Sequence, residues 1–393
     1  MKKLLLDLTP LDTPARPRGI GRYIRELALG LRALPPRELA GIEVLGLTSL
    51  SWTGGFEVTG DLGAFEGSPA MPRPTEHDYY VWAFRQRLAL WRAVRRVGAS
   101  AVHVLDPHAT PLFFALSGAK KIVTCHDLVP TKFPTRYFGA RDGGAFVGKR
   151  IERRRYASAD LVVAISDATR SDVISLLGVP PSRVVRVYNG VDVARWAARP
   201  AAGAEVVARH GLTAGRYVLY AGGSDWRKNV EGMMGALAFA RDAGVDLDLA
   251  WAGTLDEGHI AHVEREARAA GVADRVRRLG YVSDDDLSAL YRGALAHLFV
   301  SRCEGFGLTV VEAMAAGCPV VTTTGGSLGE VAADAALLVD PESTSAIGGA
   351  LVRLARSPAL ADDLRARGAA RAPLFSRAVH ASAMARVYRD ALA

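Results

Sequence analysis

Residues 301–317 read Ser-Arg-Cys-Glu-Gly-Phe-Gly-Leu-Thr-Val-Val-Glu-Ala-Met-Ala-Ala-Gly, and this segment decides the fold of the second half of the chain. The apolar residues 296–300 before it predict a buried strand, and the apolar run after Gly307 predicts a helix. Backbone N–H groups in the first turn of a helix have no acceptor within that helix, so they can bind an anion. The segment therefore predicts a strand, a ligand-binding turn and a helix, the repeating unit of a doubly wound sheet.

The same segment contains two glutamates, Glu304 and Glu312. Glu304 precedes the predicted helix and Glu312 lies about a turn and a half inside it, so the two carboxylates cannot contact one ligand atom. A solvated side chain is the ordinary interpretation of a helical glutamate, but residues 310–314 are otherwise apolar. We expect the two carboxylates to hold different parts of one extended ligand.

A second turn, residues 221–229, reads Ala-Gly-Gly-Ser-Asp-Trp-Arg-Lys-Asn and also lies between a predicted strand and a predicted helix. Its small residues let the backbone approach a phosphate, and Arg227 and Lys228 supply positive charge. An exposed Arg-Lys pair before a helix is common, so this turn alone does not establish a phosphate site.

In the first half of the chain, polar or glycine-rich motifs follow two predicted strands. The strand at 3–7 ends in Asp7 and leads to Gly19 and Gly21, which form half of a glycine-rich phosphate loop. His126 and Asp127 follow the strand at 121–125, at a carboxyl end where open α/β sheets bind ligands. A histidine beside an aspartate is more often a structural pair than a catalytic one, and that alternative stays open.

Strand-like runs alternate with amphipathic runs along the chain, which predicts an α/β fold. We expect two Rossmann-like doubly wound domains facing a central cleft, residues 1–195 and 196–374, with an Ala, Pro and Gly-rich linker at 197–204. A terminal helix from residue 375 to the end should pack back on the first domain. Residues 51–75 fit no element. The predicted strands are 3–7, 42–48, 101–105, 121–125, 161–165, 184–188, 217–221, 247–252, 277–280, 296–300, 319–322 and 336–339.

The net charge of +8 is concentrated in the first half, since residues 1–190 carry 27 lysines and arginines against 17 acidic residues. The clusters are Arg92, Arg95 and Arg96 on one predicted helix and a basic run at 149–155 on another. A solvated face is one interpretation, and an anionic lipid surface is the other. Nucleic acid has little support, because no zinc-finger spacing, RNP-like motif or basic zipper accompanies the charge.

Three cysteines, Cys125, Cys303 and Cys318, show no metal-like spacing and predict reduced thiols in a cytoplasmic protein. The apolar run after Lys2 and Lys3 is too short for a signal peptide, and no stretch approaches the ~18 apolar residues of a membrane span.

The spacing of Glu304 and Glu312, followed by Ala-Met-Ala-Ala-Gly-Cys-Pro-Val-Val at 313–321, resembles the signature of the family 4 glycosyltransferases of GT-B fold. The resemblance covers nearly the whole chain. It extends to Gly-Ile-Gly-Arg-Tyr at 19–23, His-Asp at 126–127, Asn-Gly-Val-Asp at 189–192, Arg-Lys-Asn at 227–229, Gly-Tyr-Val at 280–282 and Phe-Ser at 375–376. It implies a retaining, metal-independent transferase that uses a sugar nucleotide as substrate and no cofactor.

The resemblance also implies a role for each matching position. Glu304 would contact the hydroxyls of the transferred sugar, and Glu312 would contact the ribose. Arg227 and Lys228 would neutralise the leaving diphosphate, and His126 would contact the sugar or its phosphate. The remaining positions would hold the donor by backbone or loop contacts: Phe306, Gly307, Leu308 and Thr309 at sugar and diphosphate, Val282 at the base, and Gly19, Gly21 and Asp127 in the first domain.

One departure from the family pattern concerns the phosphate turn. Many members carry an arginine soon after the strand that precedes the Arg-Lys pair, and Gly222 and Gly223 stand there in this chain. A metal site is a separate question: Asp246 and Asp248 match an Asp-x-Asp motif literally, but their alternation with apolar residues favours the polar side of a strand. Residues 284–286, all aspartate, predict a helix start.

The start of the chain resembles transferases of bacterial surface polysaccharides, so we expect a mannose or deoxymannose from a GDP donor and a lipid-diphosphate-linked glycan acceptor. The basic domain would then touch the inner face of the plasma membrane. The alternatives are a UDP-sugar transferase of the same fold, an epimerase or phosphorylase of that fold, a sugar-nucleotide-binding protein without turnover, and a basic nucleic-acid binder. Oligomeric state is not predicted.

Overall fold

The computed structural model describes residues 1–12, 16, 19–48, 55–66, 76–107, 118–137, 144–200 and 202–393; at 76–85, 87 and 144–149 it describes the backbone alone. The chain forms two compact units. Unit 1 comprises Met1–Val191 and Ser376–Ala393, and unit 2 comprises Asp192–Phe375.

Each unit contains one sheet. The seven strands of unit 1 have the order β3-β2-β1-β4-β5-β6-β7, parallel except for β3, and the six strands of unit 2 have the order β10-β9-β8-β11-β12-β13, all parallel. The strands are β1 Lys2–Asp7, β2 Ile42–Thr48, β3 Glu57–Thr59, β4 Ala101–Val104, β5 Lys120–Cys125, β6 Leu161–Ala164, β7 Val184–Arg186, β8 Tyr217–Ala221, β9 Asp248–Ala252, β10 Val276–Gly280, β11 Ala296–Phe299, β12 Val320–Thr323 and β13 Leu337–Val339.

Helices connect the parallel strands. They are α1 Gly19–Ala33, α2 Glu76–Val97, α3 Val129–Lys132, α4 Pro134–Tyr137, α5 Gly144–Ala157, α6 Asp167–Leu177, α7 Val193–Ala197, α8 Gly203–Arg209, α9 Val230–Asp242, α10 Glu257–Ala269, α11 Asp284–Gly293, α12 Leu308–Ala315, α13 Leu328–Ala332, α14 Thr344–Arg356, α15 Pro358–Arg371 and α16 Arg377–Leu392. The arrangement confirms the predicted α/β class with two doubly wound sheets.

The central strands are buried along most of their length, which is why they are continuous apolar runs and not alternating ones. Leu4, Leu5 and Leu6 of β1 are fully buried, and no residue of β8 exceeds the 8% exposure of Ala221. Each of the twelve predicted strands is present, with ends that differ by at most two residues. Long apolar runs were therefore a reliable signal for parallel strands.

Two parts of the predicted organisation differ from the structure. The linker predicted at 197–204 is wrong at both ends, because Ala197 still belongs to α7 and α8 already begins at Gly203. The units divide after Val191 and not after residue 195, because α7 packs on α12 and Arg195 pairs with Asp284 and Asp285 of unit 2. Residue 375 also belongs to unit 2, where its ring contacts Phe306 at a centroid distance of 5.7 Å.

The terminal helix α16 packs within unit 1. The Arg377 guanidinium pairs with Glu26 of α1 at 2.6 Å, and the Arg377 N–H donates to Val191 O at 2.9 Å. The same unit contains a series of buried side chains joined by hydrogen bonds. In this series the hydroxyls of Tyr23 and Thr124 lie 2.9 Å apart. His103 joins Thr124 at 2.9 Å through Nε2 and Tyr388 of α16 at 2.8 Å through Nδ1.

Burial keeps His103 and His380 neutral. It lowers the pKa of His103 to about 3, with smaller contributions from the charges of His380 and His126. Burial also lowers the pKa of His380 to about 4, although the bond of its Nδ1 to Tyr188 O opposes the shift.

We expect acid to destabilise unit 1 through these histidines. Below the unfolded-state pKa of 6.5, the unfolded chain binds protons that folded His103 and His380 do not. The free energy of unfolding should therefore fall by up to ~1.4 kcal/mol per histidine per pH unit as the pH drops from 6.5 towards 4. Urea denaturation at several pH values measures this slope.

His103→Gln should reduce the slope, since one of the two buried histidines is gone. The exposed His259 of α10 offers the control, because its replacement by Gln should leave the slope unchanged. An unaltered pH slope in the His103 variant would show that this side chain does not titrate as described.

Candidate active site

The turn between β11 and α12 has a geometry that only glycine fits. Gly307 caps α12 in the left-handed conformation, with φ of 98°. A Cβ at this position would lie 2.6 Å from Cδ2 of Leu328. Leu308 and Thr309 occupy the first two positions of α12, where no i−4 carbonyl within the helix can accept their N–H groups. The predicted helix start at Gly307 is confirmed, since Gly307 is the N-cap of α12.

The backbone of Glu304 is held by a loop that the sequence did not indicate as functional. After β12, the N–H and the hydroxyl of Ser327 both donate to Glu304 O at 3.1 Å. Gly326 has φ of 65°, and a Cβ there would lie 2.2 Å from the same oxygen. Thr323 Oγ1 also donates to Ser301 O at 2.6 Å. The available signal was the Gly-Gly-Ser sequence directly after a predicted strand.

The cationic turn is tied to the Glu304 turn by backbone and side-chain bonds. Asn229, in the left-handed region at φ of 59°, caps α9 and donates from Nδ2 to Val300 O at 3.1 Å. The Arg302 N–H donates to Arg227 O at 2.7 Å, and its guanidinium donates to Trp226 O at 3.0 Å. These bonds place two segments that are distant in sequence side by side. Neither Asn229 nor Arg302 was predicted to act in the site.

The centre of the site is a three-residue ion-pair cluster. Glu304 Oε1 lies 2.7 Å from Lys228 Nζ, and Oε2 lies 3.0 Å from Arg227 Nη1. The side chains are 8% exposed for Glu304, 13% for Lys228 and 25% for Arg227. Burial by itself raises the pKa of Glu304, but Lys228 and Arg227 outweigh it and hold that pKa below its usual value. The carboxylate is therefore ionised at neutral pH.

Glu312 and Thr309 extend the site along α12. Glu312 is 2% exposed on this otherwise apolar helix, as its apolar neighbours indicated. Thr309 Oγ1 lies 3.2 Å from Nε2 of the buried His297, whose Nδ1 donates to Leu219 O at 2.9 Å. Burial lowers the pKa of His297 to about 4 against the effect of the Leu219 bond. Neutral His297 thus accepts a hydrogen bond from the Thr309 hydroxyl at Nε2 and orients this hydroxyl.

The remaining predicted site residues belong to other elements of the two units. Val282 follows β10, and β9 and β8 separate β10 from β11 in the sheet. Gly19 and Gly21 lie in the first turn of α1 in unit 1. His126 follows β5, donates from Nε2 to Leu105 O at 2.7 Å, and packs edge-on against Tyr23. Asp127 Oδ1 accepts the Val129 N–H at 3.1 Å, so this carboxylate stabilises the turn that leads into α3.

The Asp-x-Asp match has the structural role that its alternation predicted. Asp246 and Asp248 both pair with Arg275, at 2.8 and 3.9 Å, beside the start of β9. Asp284, Asp285 and Asp286 form the first turn of α11 behind the cap Ser283. Among the described residues, no group of three or more His, Cys, Asp and Glu side chains could hold a metal ion, and no helix there is long and apolar enough to cross a membrane.

We expect Gly326→Ala to destabilise unit 2 by roughly 2–4 kcal/mol, because the new Cβ meets Glu304 O and the positive φ disfavours alanine. Gly349→Ala is the matched control. Gly349 lies within α14 with open space at its Cβ position, so alanine there should stabilise by roughly 0.5–1 kcal/mol. Urea denaturation of both variants measures the difference, and equal stabilities would contradict the described packing.

Comparison with known proteins identifies the family. Residues 17–195 match the family model Glycosyltransferase Family 4, and residues 208–371 match the model Glycosyl transferases group 1. The chain is 31% identical over 261 residues to the O-antigen chain mannosyltransferase B of Escherichia coli, which covers 65% of this chain and 67% of the relative.

Solved structures resemble the whole chain. Sucrose-phosphate synthase from Thermosynechococcus elongatus has a TM-score of 0.77 at 22% identity and covers 100% of this chain and 99% of its own. Anabaena HepE in complex with UDP-glucose has a TM-score of 0.72 at 15% identity, with 99% and 100% covered. The chain therefore belongs to the family 4 glycosyltransferases and has their GT-B fold.

Proposed function

We propose that this glycosyltransferase transfers a hexose from a nucleoside diphosphate to a glycan acceptor with retention of the anomeric configuration. The observation that carries the proposal is the cluster of Glu304, Lys228 and Arg227 beside the turn that leads into α12. Two half-buried cations and the amides of a helix start are suited to a diphosphate. A carboxylate next to them is suited to sugar hydroxyls.

Charge development explains the roles of these groups in catalysis. As the bond between sugar and diphosphate breaks, negative charge grows on the phosphate oxygens. Lys228 and Arg227 stabilise this charge together with the amides of Leu308 and Thr309, and preorganised donors of this kind are the main electrostatic means of catalysis. An oxygen of the leaving phosphate takes the proton of the acceptor hydroxyl on the same face, so no dedicated protein base is required.

The other positions follow from the family resemblance. Glu312 would bind the ribose hydroxyls, Val282 would meet the base through its backbone, and Phe306 and Gly307 would contribute amides to sugar and diphosphate. We likewise propose that the donor contacts His126 and Asp127 of unit 1 and the first turn of α1 at Gly19 and Gly21. We also propose that turnover requires neither a metal nor a cofactor.

For the donor we favour a GDP-linked mannose or deoxymannose. The support is the E. coli relative, an O-antigen chain mannosyltransferase. A UDP-sugar is the second candidate, because HepE, which has the same fold, binds UDP-glucose. A sugar-nucleotide-binding protein without turnover is less consistent with the intact set of Glu304, Glu312 and Lys228.

The acceptor we propose is a lipid-diphosphate-linked glycan used in surface polysaccharide synthesis at the cytoplasmic face of the membrane. Helix α5 supports this with Arg150, Arg153 and Arg154, which are all exposed. Ile151 between them is 39% exposed. Arginines around an exposed apolar side chain suit an anionic lipid surface, where each adds ~1 kcal/mol of attraction.

The central test combines ligand binding with one substitution. In a thermal-shift panel of UDP, GDP and their sugars, we expect one nucleotide series to raise the melting temperature, because a ligand that binds only the folded state stabilises it. With the matching donor and acceptor, Lys228→Ala should lower kcat by ~10²–10³, the usual effect of removing one such donor group.

Arg241→Ala is the control for this measurement, since its side chain is exposed on unit 2 and pairs with Asp242. It should retain wild-type kcat. An unchanged kcat of the Lys228 variant at saturating donor would remove Lys228 from the mechanism, and a panel without any stabilising nucleotide would refute the donor proposal.

The membrane proposal has its own test. Vesicles with about a third anionic lipid should retain the wild-type protein at low salt and release it at high salt, because surface charge attraction is screened. Replacing Arg150, Arg153 and Arg154 by Glu should abolish retention. The control variant reverses Arg265 and Arg268 on α10 of unit 2, which are also exposed. Failure of the wild-type protein to sediment with these vesicles would exclude the membrane part.

A further inference from the structure

In the ion-pair cluster, the cations that would bind the diphosphate already have a carboxylate as their partner. Lys228 and Arg227, the two groups proposed to hold the diphosphate, each bind an oxygen of Glu304. Arg227 also lies 3.5 Å from Asp225 through Nε. The two cations and the two carboxylates cancel, so this cluster of four side chains has no net charge with which to attract a diphosphate.

Burial makes this competition strong. The Glu304 and Lys228 side chains are 8% and 13% exposed, so water and salt screen their attraction only weakly. A phosphate oxygen that binds Lys228 either replaces this short charge-assisted bond or uses another N–H of the ammonium group, where it lies close to the Glu304 carboxylate. Leaving the Glu304 carboxylate buried without a partner would be costly. In either case the diphosphate binds more tightly when Glu304 has a new partner.

We infer that Glu304 exchanges partners during turnover and displaces the nucleoside diphosphate product from Lys228 and Arg227. The inference rests on the proposed function, in which the donor sugar presents its hydroxyls to Glu304. While the sugar is bound, these hydroxyls hold the carboxylate and the cations are released to the diphosphate. Once the sugar has moved to the acceptor, Glu304 loses the hydroxyls and returns to the cations.

The exchange links product release to completion of the transfer. The leaving diphosphate carries an additional ionisable oxygen, so positive groups that stabilise the transition state would also retain the product. Glu304 competes with the diphosphate for the cations only after the sugar has left. It therefore weakens binding of the product more than binding of the donor. A ligand can shift such an equilibrium only by its differential interaction with the two arrangements, and the sugar hydroxyls provide this difference.

The test compares the affinity of wild-type protein and Glu304→Gln for UDP and GDP by titration calorimetry. The glutamine removes the competing charge, so we expect the variant to bind the preferred nucleoside diphosphate about tenfold tighter, the equivalent of losing one competing charge-assisted hydrogen bond. Affinity for the intact nucleotide sugar should rise less, so the preference for donor over product should fall. Turnover of the variant should show correspondingly stronger inhibition by the diphosphate.

Asp225→Asn serves as the matched control. Asp225 also pairs with Arg227, but it is 41% exposed and makes the longer contact, so its loss should change the affinity for the diphosphate by less than about threefold. Glu304→Asp is the second variant, needed if the glutamine variant does not fold. Its shorter side chain cannot reach both cations, and we expect an intermediate gain in diphosphate affinity.

The outcomes separate the inference from the proposed function. Wild-type binding of the diphosphate, combined with equal or weaker binding by the folded Glu304 variants, would overturn the inference and leave the proposed function intact. If the wild-type protein binds no nucleoside diphosphate and no nucleotide sugar, both are overturned.

Discussion

The candidate site depends on one interaction, the contact of the Glu304 carboxylate with Lys228 and Arg227. These residues are 76 and 77 positions apart in the chain. They meet because β8 and β11, the strands that precede their turns, are neighbours in the sheet. The order of strands reverses direction between these two, and the crevice at such a reversal is where open α/β sheets bind ligands. The strand order of unit 2 thus brings the two turns together, whatever side chains they carry.

Backbone constraints then fix the two turns relative to each other. Arg302 and Asn229 donate hydrogen bonds across the junction, and Ser327 holds the carbonyl of Glu304 from the third turn, after β12. Glycine at positions 307 and 326 is required for conformation and for space. The charged groups consequently sit on a rigid frame, so changes in their pairing need side-chain rotation and little backbone movement.

The sequence predicted the elements of this site better than their contacts. Continuous apolar runs specify buried parallel strands, and a helix start after a glycine turn is recognisable locally, so Glu304, Glu312 and Lys228 could be identified one by one. β3 was missed because three residues at a sheet edge carry no pattern. The pairing of Glu304 with Lys228 and Arg227 was not predicted, because it depends on strand order. Arg302 was missed for the same reason, since its partners come from the other turn.

Burial also determines which groups around the site carry charge. His297 is fully buried, and the loss of hydration makes its imidazole neutral at physiological pH. A neutral imidazole that donates to Leu219 O must accept from Thr309, so it orients a hydroxyl at the start of α12 and adds no cation. Positive potential at this helix start therefore comes from the amides and from Lys228 and Arg227, whose charge Glu304 and Asp225 offset. An anion is therefore attracted to this helix start more strongly when the Glu304 carboxylate binds a partner other than Lys228 and Arg227. The carboxylate is thus as important for ligand binding as the two cations that it contacts.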